Sequence, residues 1–345
     1  MISVIIPTYD RATSLLRCLD HLAMQSAVEL ISEIIIVDDA SPTPDGAELS
    51  AAHTLAHRIR YVRLSENLGP GGARNVGVDL AGQSTTLFVD DDILLAPDAL
   101  EKMALAGLPR TPEDSSLFGR VAWDSSIRVT PFMHWMTNGG PLFPYHRITD
   151  PNDCHWTYFV TSLIASSTEL IRTERFTERL RCRYEDLELG YRLQRRRNNL
   201  LRFVPDAVAG DLHGRGLVEW LSDLGRIEAD LVLLSEMTNQ EMANAFSIER
   251  AKSLTHFAGR PLNIACDLIR AFEPVVTVPP QYDRYYGDVW EWQSLEQSYR
   301  IIQNYFRIVS IRAALKEIPL VAIDMEADST AFAADIIEKL SKFTN

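Results

Sequence analysis

Three consecutive carboxylates, Asp90, Asp91 and Asp92, follow an apolar segment that is typical of a buried strand. Like charges repel one another and a buried charge needs a partner, so a cation is expected there. Alternate side chains of an extended segment share a face, which predicts Asp90 and Asp92 on one side and Asp91 on the other. Mg²⁺ and Mn²⁺ prefer such oxygen ligands. A solvated acidic turn that begins a helix near Pro97 is an equally open interpretation.

A second pair of carboxylates, Glu185 and Asp186, stands at the start of an amphipathic segment with helical spacing. A carboxylate held near an acceptor hydroxyl can act as a general base. The dipole of any helix also favours acidic side chains in its first turn, so this simpler explanation stays open beside the catalytic one.

A histidine and a glycine-rich turn complete the set of candidates. His213 could finish a metal site begun by Asp92, although a single histidine in a turn is more often a surface residue. The turn NLGPGGARN, residues 67–75, would let the backbone approach a phosphate that Arg74 neutralises. The turn matches neither the Walker A sequence nor GxGxxG, which argues against a nucleoside triphosphatase and a dinucleotide enzyme.

Strands that alternate with helices must position these groups. The predicted strands cover 2–6, 33–39, 58–64 and 85–92, and a helix follows each of the first three. Such alternation predicts an α/β fold with right-handed crossovers and a mostly parallel sheet. Ligands of these folds bind beyond the carboxyl ends of the strands. Three polar segments would converge there: Pro7–Asp10, Asp38–Asp39 and Asp90–Asp92.

The remainder of the chain is predicted to form a separate region. We expect a nucleotide-binding and catalytic domain over 1–215 and a mainly helical region over 216–345. Apolar residues share one face of a predicted helix at Trp220, Leu221, Leu224, Ile227, Leu231 and Leu234. A Pro-containing break over 274–288 precedes a helix predicted over 290–316. The aromatic residues of this part either pack the helices or make a dimer, membrane or acceptor contact: Tyr282, Tyr285, Tyr286, Trp290, Trp292, Tyr299, Tyr305 and Phe306.

Composition narrows the class of protein. A formal charge of −13 over 345 residues argues against general nucleic-acid binding, which needs a basic surface. The four cysteines show no metal-ligand spacing, so no zinc site or disulfide framework is expected, and reduced thiols suit a cytoplasmic protein. No apolar run approaches the roughly 18 residues of a spanning helix. Peripheral contact with the inner face of a membrane stays open, since Arg195–Arg197 form either a solvated helix face or a site for an anionic lipid-linked acceptor.

Five segments occur together in an order that resembles the successive motifs of family-2 glycosyltransferases with the GT-A fold. They are SVIIPTYDR, EIIIVDDAS, NLGPGGARNVGVDLA, LFVDDDILLAPDALE and YEDLELGYRL. Each motif alone is weakly specific, whereas the combination is highly specific. The resemblance covers about residues 1–215 and implies a Rossmann-like central sheet with flanking helices.

The resemblance also implies roles for single residues. Asp186 matches the catalytic base, Asp92 matches the principal metal ligand, and His213 matches a histidine that completes the metal site in some members. The residues that resemble the donor nucleotide site are Pro7, Thr8, Tyr9, Asp10, Asp38, Asp39, Arg74, Asp90 and Asp91. Glu185 and Asn67 are secondary candidates. Two departures concern Asp10, which stands where asparagine is commoner, and residues 158–180, which lack the usual glycine-glycine-phenylalanine pattern.

The activity implied by the resemblance is inverting transfer of a sugar, of hexosyltransferase type, with Mn²⁺ or Mg²⁺ as cofactor. The donor would be a nucleotide diphosphate sugar, a UDP-sugar first of all. The acceptor would be a hydroxyl of a glycan, a lipid-linked molecule or a small molecule, as in polysaccharide, glycolipid or glycoconjugate synthesis. A homodimer through the C-terminal helices is a further expectation.

Two other classes of function are weighed against this one. A nucleotidyltransferase would favour a glycine-rich loop with lysine near the N-terminus, and residues 1–20 contain neither glycine nor lysine. A non-catalytic nucleotide-sugar-binding protein would be marked by a lost metal or base residue, and Asp92 and Asp186 are both present. The transferase is therefore the preferred hypothesis.

Overall fold

The computed structural model of the protein describes residues 1–43, 45–138, 140–238, 256–276, 278, 290–314 and 321–323. The chain forms two compact units, and each unit is built from two segments. The first unit contains Met1–Arg128 and Tyr145–His213, and the second contains Val129–Pro144 and Gly214–Asn345. All the residues that the sequence assigns to chemistry lie in the first unit.

A mixed sheet forms the centre of the first unit, within its described residues. Its strands are β1 Ile2–Thr8, β2 Ile31–Asp38, β3 Ile59–Arg63, β4 Thr85–Val89, β5 Ile93–Leu95, β6 Ser116–Trp123, β7 Leu163–Ser167 and β8 Leu201–Asp211. They lie in the order β3-β2-β1-β4-β7-β6-β8-β5. The half that runs from β3 to β4 is parallel, as the alternation of the first hundred residues predicts. Strand β7 is antiparallel to both neighbours and β5 is antiparallel to β8, whereas β6 and β8 are parallel.

Helices alternate with these strands and also build the second unit. In chain order they are α1 Ala12–Ala23, α2 Asp45–Ala52, α3 Gly69–Leu80, α4 Ala99–Leu105, α5 Pro131–Asn138, α6 Thr168–Glu174, α7 Glu185–Arg197, α8 Leu217–Met237, α9 Gly259–Phe272 and α10 Trp290–Ala314. Helix α1 buries Leu15, Leu19 and Leu22, whereas Leu16, which shares the helical spacing, is half-buried. The sequence pattern predicts this second helix over about 46–57, but α2 ends at Ala52. Beyond it the His53 ring accepts the backbone N–H of Leu55 in a turn.

A hydrophobic core joins the parallel strands to the helices that carry candidate residues. Ile5, Ile35 and Phe88 from β1, β2 and β4 are fully buried in one cluster with Ala73 of α3 and Leu189 of α7. Strands of a parallel sheet are apolar in this way because helices cover both faces. Packing of α3 and α7 on the same core fixes the helices from which Arg74 and Asp186 project.

The second unit is mainly helical among its described residues, as predicted. The six apolar residues expected on one face of α8, from Trp220 to Leu234, are all buried. Phe132 and Trp135 of α5 lie with their ring centroids 5.3 and 5.5 Å from that of Tyr299 in α10. A short parallel pair, β9 His256–Ala258 and β10 Val321–Ile323, completes the described elements.

Most of the described aromatic residues of α10 serve packing. Trp292, Tyr299, Tyr305 and Phe306 are buried, whereas Trp290 is 62% exposed. Tyr282, Tyr285 and Tyr286, residues 315–316 of the predicted helix and most of the predicted break over 274–288 lie outside the described residues. In the part of the chain that the structure describes, no helix is both long enough and apolar enough to cross a membrane.

Candidate active site

The carboxyl ends of β1, β2 and β4 meet at one edge of the sheet, as the sequence predicts. The hydroxyl of Thr8 donates to Oδ2 of Asp91 at 2.6 Å, although the two residues are 83 positions apart. The backbone N–H of Asp39 donates to the carbonyl of Thr8 at 2.9 Å. These contacts join the loops after three parallel strands, which is the position where open α/β sheets bind ligands.

The loop after β1 turns at Asp10, which has a φ of 56°. Aspartate and asparagine are the non-glycine residues that best tolerate this left-handed conformation. The N–H of Asp10 donates to Oγ of Ser41, and its Oδ1 accepts a bond from the hydroxyl of Thr43 at 3.1 Å. Aspartate in place of asparagine therefore keeps the turn. The preceding Tyr9 is 47% exposed.

A cavity of about 390 Å³ lies beside this turn, lined in part by Thr8, Arg11, Ser41, Thr43 and Tyr61. Its wall combines hydroxyl groups, a guanidinium and an aromatic ring. Pockets at the carboxyl ends of strands with a few convergent polar groups are the usual position of ligand sites.

The two aspartates after β2 have different partners. Asp38 is fully buried, and its carboxylate accepts bonds from the N–H of Ser41 and from the hydroxyl of Tyr61. Asp39 instead accepts the N–H groups of Leu68 and Gly69, at 2.7 and 2.9 Å. Burial raises the pKa of Asp39, although those two N–H groups favour its charged form. Asp38 thus braces the loop, and Asp39 holds the glycine-rich turn.

Asn67 supports the same turn, because its amide donates to the carbonyl of Asp39 at 3.1 Å. The glycines of the turn pack against the protein itself. A Cβ at position 71 would lie 2.9 Å from the carbonyl of Thr177, and one at position 72 would lie 2.5 Å from Cβ of Leu68. Close packing therefore explains Gly71 and Gly72, a reason that the sequence motif alone did not indicate.

Arg11, which sequence reasoning did not single out, supplies positive charge to the aspartate triplet. Its Nη1 lies 2.5 Å from Oδ2 of Asp92 and 3.3 Å from Oδ1 of Asp91. The predicted alternation of the triplet is wrong: Asp91 and Asp92 share Arg11, whereas Asp90 contacts Arg74. The reason is that β4 ends at Val89, so residues 90–92 form a turn.

Excess negative charge remains around Asp92. Burial, followed by repulsion from Asp92, raises the pKa of Asp91 to about 7 despite the opposing charge of Arg11. The same two causes raise the pKa of Asp211 to about 7. Asp211 was missed by sequence reasoning because nothing in VAGDLHG indicates that β8 lies beside β5 and so brings this residue to the triplet.

The residues predicted as metal ligands lie near one another. Nδ1 of the His213 ring is 3.8 Å from Oδ2 of Asp92. The backbone N–H of His213 donates to Oδ1 of Asp211 at 2.6 Å. Among the described residues, no three acidic, histidine or cysteine side chains are arranged as a complete metal site. Carboxylate oxygens beside an imidazole nitrogen, with negative charge in excess, are nevertheless a donor set that fits Mn²⁺ or Mg²⁺.

Arg74 is buried between two carboxylates. Its Nη1 lies 2.6 Å from Oε1 of Glu185, and its Nη2 lies 2.7 Å from Oδ1 of Asp90. Burial opposes the charged guanidinium, but Asp90 and Glu185 raise the pKa of Arg74 above its ordinary value. The contact between Arg74 and the donor stays a prediction. Within the protein, each terminal nitrogen contacts a carboxylate.

Asp186 occupies the first turn of α7, as predicted. Its Oδ1 accepts the N–H of Leu187 at 2.7 Å, and its Oδ2 accepts the N–H of Thr161 at 3.4 Å. Burial of the carboxyl group, followed by repulsion from Glu185, raises its pKa to about 7, while Arg74 opposes the shift. A carboxylate with this pKa can accept a proton near neutral pH.

Comparison with known proteins shows which family the sequence matches. Residues 3–168 match the family model described as Glycosyl transferase family 2. "Succinoglycan biosynthesis protein ExoO" from Rhizobium meliloti (strain 1021) is 30% identical over 102 residues, which cover 30% of this chain and 28% of that protein. "Succinoglycan biosynthesis protein ExoW" from the same organism is 30% identical over 150 residues, which cover 42% and 40% of the two chains. The matches thus span less than half the length of these relatives.

A solved structure resembles nearly the whole chain. "Mannosyltransferase PcManGT from Pyrobaculum calidifontis in complex with GDP-Man and Mn2+" is 16% identical with a TM-score of 0.51, and the likeness covers 99% of this chain and 80% of that one. Together with the family match, this likeness confirms the predicted GT-A-like α/β fold with a helical C-terminal region.

Proposed function

We propose that this chain, whose residues 3–168 match the model of Glycosyl transferase family 2, transfers a sugar from a nucleotide diphosphate sugar to an acceptor hydroxyl with inversion. The observation that carries the proposal is the position of Asp186. Its carboxyl group has a pKa raised to about 7, and it is linked to the donor-side Asp90 through Glu185 and Arg74. Base and donor groups thus belong to one cluster.

The proposed donor site uses the edge formed by β1, β2 and β4. The loop from Pro7 to Asp10 and the residue Asp39 would hold the nucleoside, with the ring of Tyr9 exposed beside it. Asp90 and Asp91 would face the ribose and the diphosphate. We expect the donor to carry uridine. Guanosine is the alternative to test first, because the solved structural neighbour is named for a complex with GDP-Man.

The proposed chemistry is a single displacement at the anomeric carbon. Asp186 removes the proton from the acceptor hydroxyl as that oxygen attacks from the face opposite the diphosphate. One base and one direct displacement invert the configuration, whereas a retaining mechanism needs a second carboxylate as nucleophile. Names such as "Succinoglycan biosynthesis protein" among the relatives support a glycan as the acceptor class.

A divalent cation is part of the proposal because the donor set around Asp92 fits one. Asp92 and His213 would hold it, and Asp211 would fix the main chain at His213 through the bond to its backbone N–H. Bound there, Mn²⁺ or Mg²⁺ would supply positive charge against the diphosphate that leaves.

A thermal-shift screen tests the proposal directly. The purified chain is heated with UDP-glucose, UDP-N-acetylglucosamine or GDP-mannose, with Mn²⁺ or with a chelator. A bound ligand raises the melting temperature by mass action, so we expect a rise with one nucleotide class that needs Mn²⁺. A flat response to every nucleotide sugar would contradict the donor assignment, and an equal rise in chelator would contradict the role of the metal.

A further inference from the structure

Arg74 makes two short contacts, a buried one with Glu185 and a partly buried one with Asp90, that join opposite sides of the candidate site. One terminal nitrogen binds Glu185 at 2.6 Å and the other binds Asp90 at 2.7 Å. The side chain of Arg74 is 5% exposed, and that of Glu185 is 6% exposed. Removal of one partner from such a pair leaves a buried charge uncompensated, so the pair is costly to break.

The same residues belong to a closed ring of contacts. The second oxygen of Asp90 accepts a bond from the hydroxyl of Ser162 at 3.1 Å. Thr161, which precedes Ser162 in the chain, donates its backbone N–H to Oδ2 of Asp186 at 3.4 Å. Because Glu185 and Asp186 are neighbours in the chain, these contacts close on themselves. We call this set the Arg74 ring: Arg74, Asp90, Thr161, Ser162, Glu185 and Asp186.

A donor diphosphate could reach Arg74 only in competition with this ring. Two of its five N–H groups donate to carboxylates, while its buried Nε has no hydrogen-bond partner among the described residues. The side chain is only 5% exposed, so a diphosphate would have to displace Asp90 or Glu185 to contact the guanidinium. A charge-assisted bond between buried partners is short and strong, and its loss carries the desolvation cost of both ions. The protein therefore uses the guanidinium as an internal brace.

We propose that Arg74 and Glu185 are positioning residues, which fix the base Asp186 relative to the donor-side Asp90, and that Arg74 does not bind the donor diphosphate directly. The inference rests on the proposed function, because that function makes Asp186 the base. It goes further because it assigns Glu185 a positioning role and replaces the donor contact expected of Arg74 with a positioning role.

The charges of the two positioning residues act on Asp186 in opposite directions. The negative charge of Glu185 raises the pKa of Asp186, and the positive charge of Arg74 lowers it. Substitution of Glu185 should therefore move the acidic limb of the pH–rate profile to lower pH, and substitution of Arg74 should move it to higher pH. General damage to the fold would not produce opposite shifts.

The test compares Glu185→Gln and Arg74→Gln with the unaltered protein. For the nucleotide sugar that stabilises the protein most among UDP-glucose, UDP-N-acetylglucosamine and GDP-mannose, kcat and KM are measured from pH 5 to 9. Calorimetry with Mn²⁺ gives the affinity for UDP and GDP. We expect kcat to fall about 10- to 100-fold in both variants, with opposite shifts of the acidic limb and nucleotide affinity within about fivefold of the original.

Glu188→Gln is the matched control, because Glu188 lies one turn further along α7 and makes an equally short bond, 2.6 Å, to Arg192. It should lower the melting temperature and leave both the pH profile and the nucleotide affinity unchanged. Ser162→Ala, a smaller change in the Arg74 ring, should lower kcat about three- to tenfold. This variant replaces Arg74→Gln in the test if Arg74→Gln does not fold.

Three results would overturn the inference: a loss of UDP or GDP affinity of tenfold or more in Arg74→Gln alone, acidic limbs that shift in the same direction, or unchanged kcat in both Glu185→Gln and Ser162→Ala. Failure of the proposed function gives a different pattern. In that case the unaltered protein itself neither binds these nucleotides nor consumes a nucleotide sugar.

Discussion

Arg11 and Asp92 form a direct ion pair, with 2.5 Å between Nη1 of the arginine and Oδ2 of the carboxylate. Asp92 is also the carboxylate that the sequence indicates as the principal metal ligand. One side chain thus faces two candidate cations, a guanidinium from the turn after β1 and a divalent ion. Since like charges repel, the occupancy of the proposed metal site should depend on Arg11.

We predict that Arg11→Gln increases the affinity for Mn²⁺ in the absence of nucleotide by about tenfold, which corresponds to about 1.4 kcal/mol. The reason is that the substitution removes a positive charge beside Asp92 and leaves the carboxylate in place. Titration of free Mn²⁺ by electron paramagnetic resonance measures the change. Arg17→Gln, at an arginine paired with Asp124, serves as the control for a general loss of positive charge. Weaker Mn²⁺ binding in Arg11→Gln would mean that the arginine organises the site.

We predict that Asp186→Asn lowers kcat by about 10³-fold and leaves the affinity for the nucleotide within about twofold. Asparagine keeps the size of the side chain and its bond from the N–H of Leu187, but it cannot accept the proton of the acceptor hydroxyl. Steady-state kinetics and calorimetry measure the two quantities separately. Turnover at the original rate would remove Asp186 from the base role.

We predict that three carboxyl groups with raised pKa values make the stability of the protein depend on pH. Asp91, Asp186 and Asp211 each have a pKa raised to about 7, well above the ordinary value near 4. Between pH 4 and 7 the folded state therefore holds protons that the unfolded state has released, so its stability falls as the pH rises through this window. Without divalent cations we expect a higher melting temperature at pH 5 than at pH 8. Asp186→Asn should narrow that difference, and calorimetric scans at both pH values check it.

The glycine-rich turn offers a test of packing. We predict that Gly71→Ala lowers the free energy of unfolding by about 1–3 kcal/mol, because its Cβ would lie 2.9 Å from a backbone carbonyl that cannot easily move. Gly216→Ala has nothing within 4 Å of the added Cβ and should change stability little. Urea denaturation of both variants makes the comparison. Equal stability of the two would show that the turn adapts at no cost.

Local patterns indicated the elements better than they indicated their partners. The apolar run of β4 and the acidic first turn of α7 were readable from sequence, because strand burial and helix dipoles act over a few neighbouring residues. The ion pair of Arg11 with residues 80 positions away was not readable, since it depends on where β4 ends. The same dependence misled the assignment of sides within the aspartate triplet.

The directions of the strands in the later half of the sheet also could not be predicted from the sequence. Helical crossovers in the first hundred residues predict parallel pairs, and the segment from 115 to 215 carries no such rhythm. Asp211 comes near the triplet only because β8 pairs with both β6 and the short β5. The positions of residues that long-range strand pairing brings to the site can be known only from the structure. The positions of residues at the ends of predicted strands can be predicted from the sequence.

The division of the chain has a consequence for anyone who wishes to produce the candidate active site alone. Helix α5 belongs to the second unit, where Phe132 and Trp135 are buried and contact Tyr299. A protein truncated after His213 would keep α5 and lose that partner, so two large aromatic rings would face water and invite aggregation. Production of the first unit alone therefore requires a second cut, with a short polar linker in place of residues 129–144.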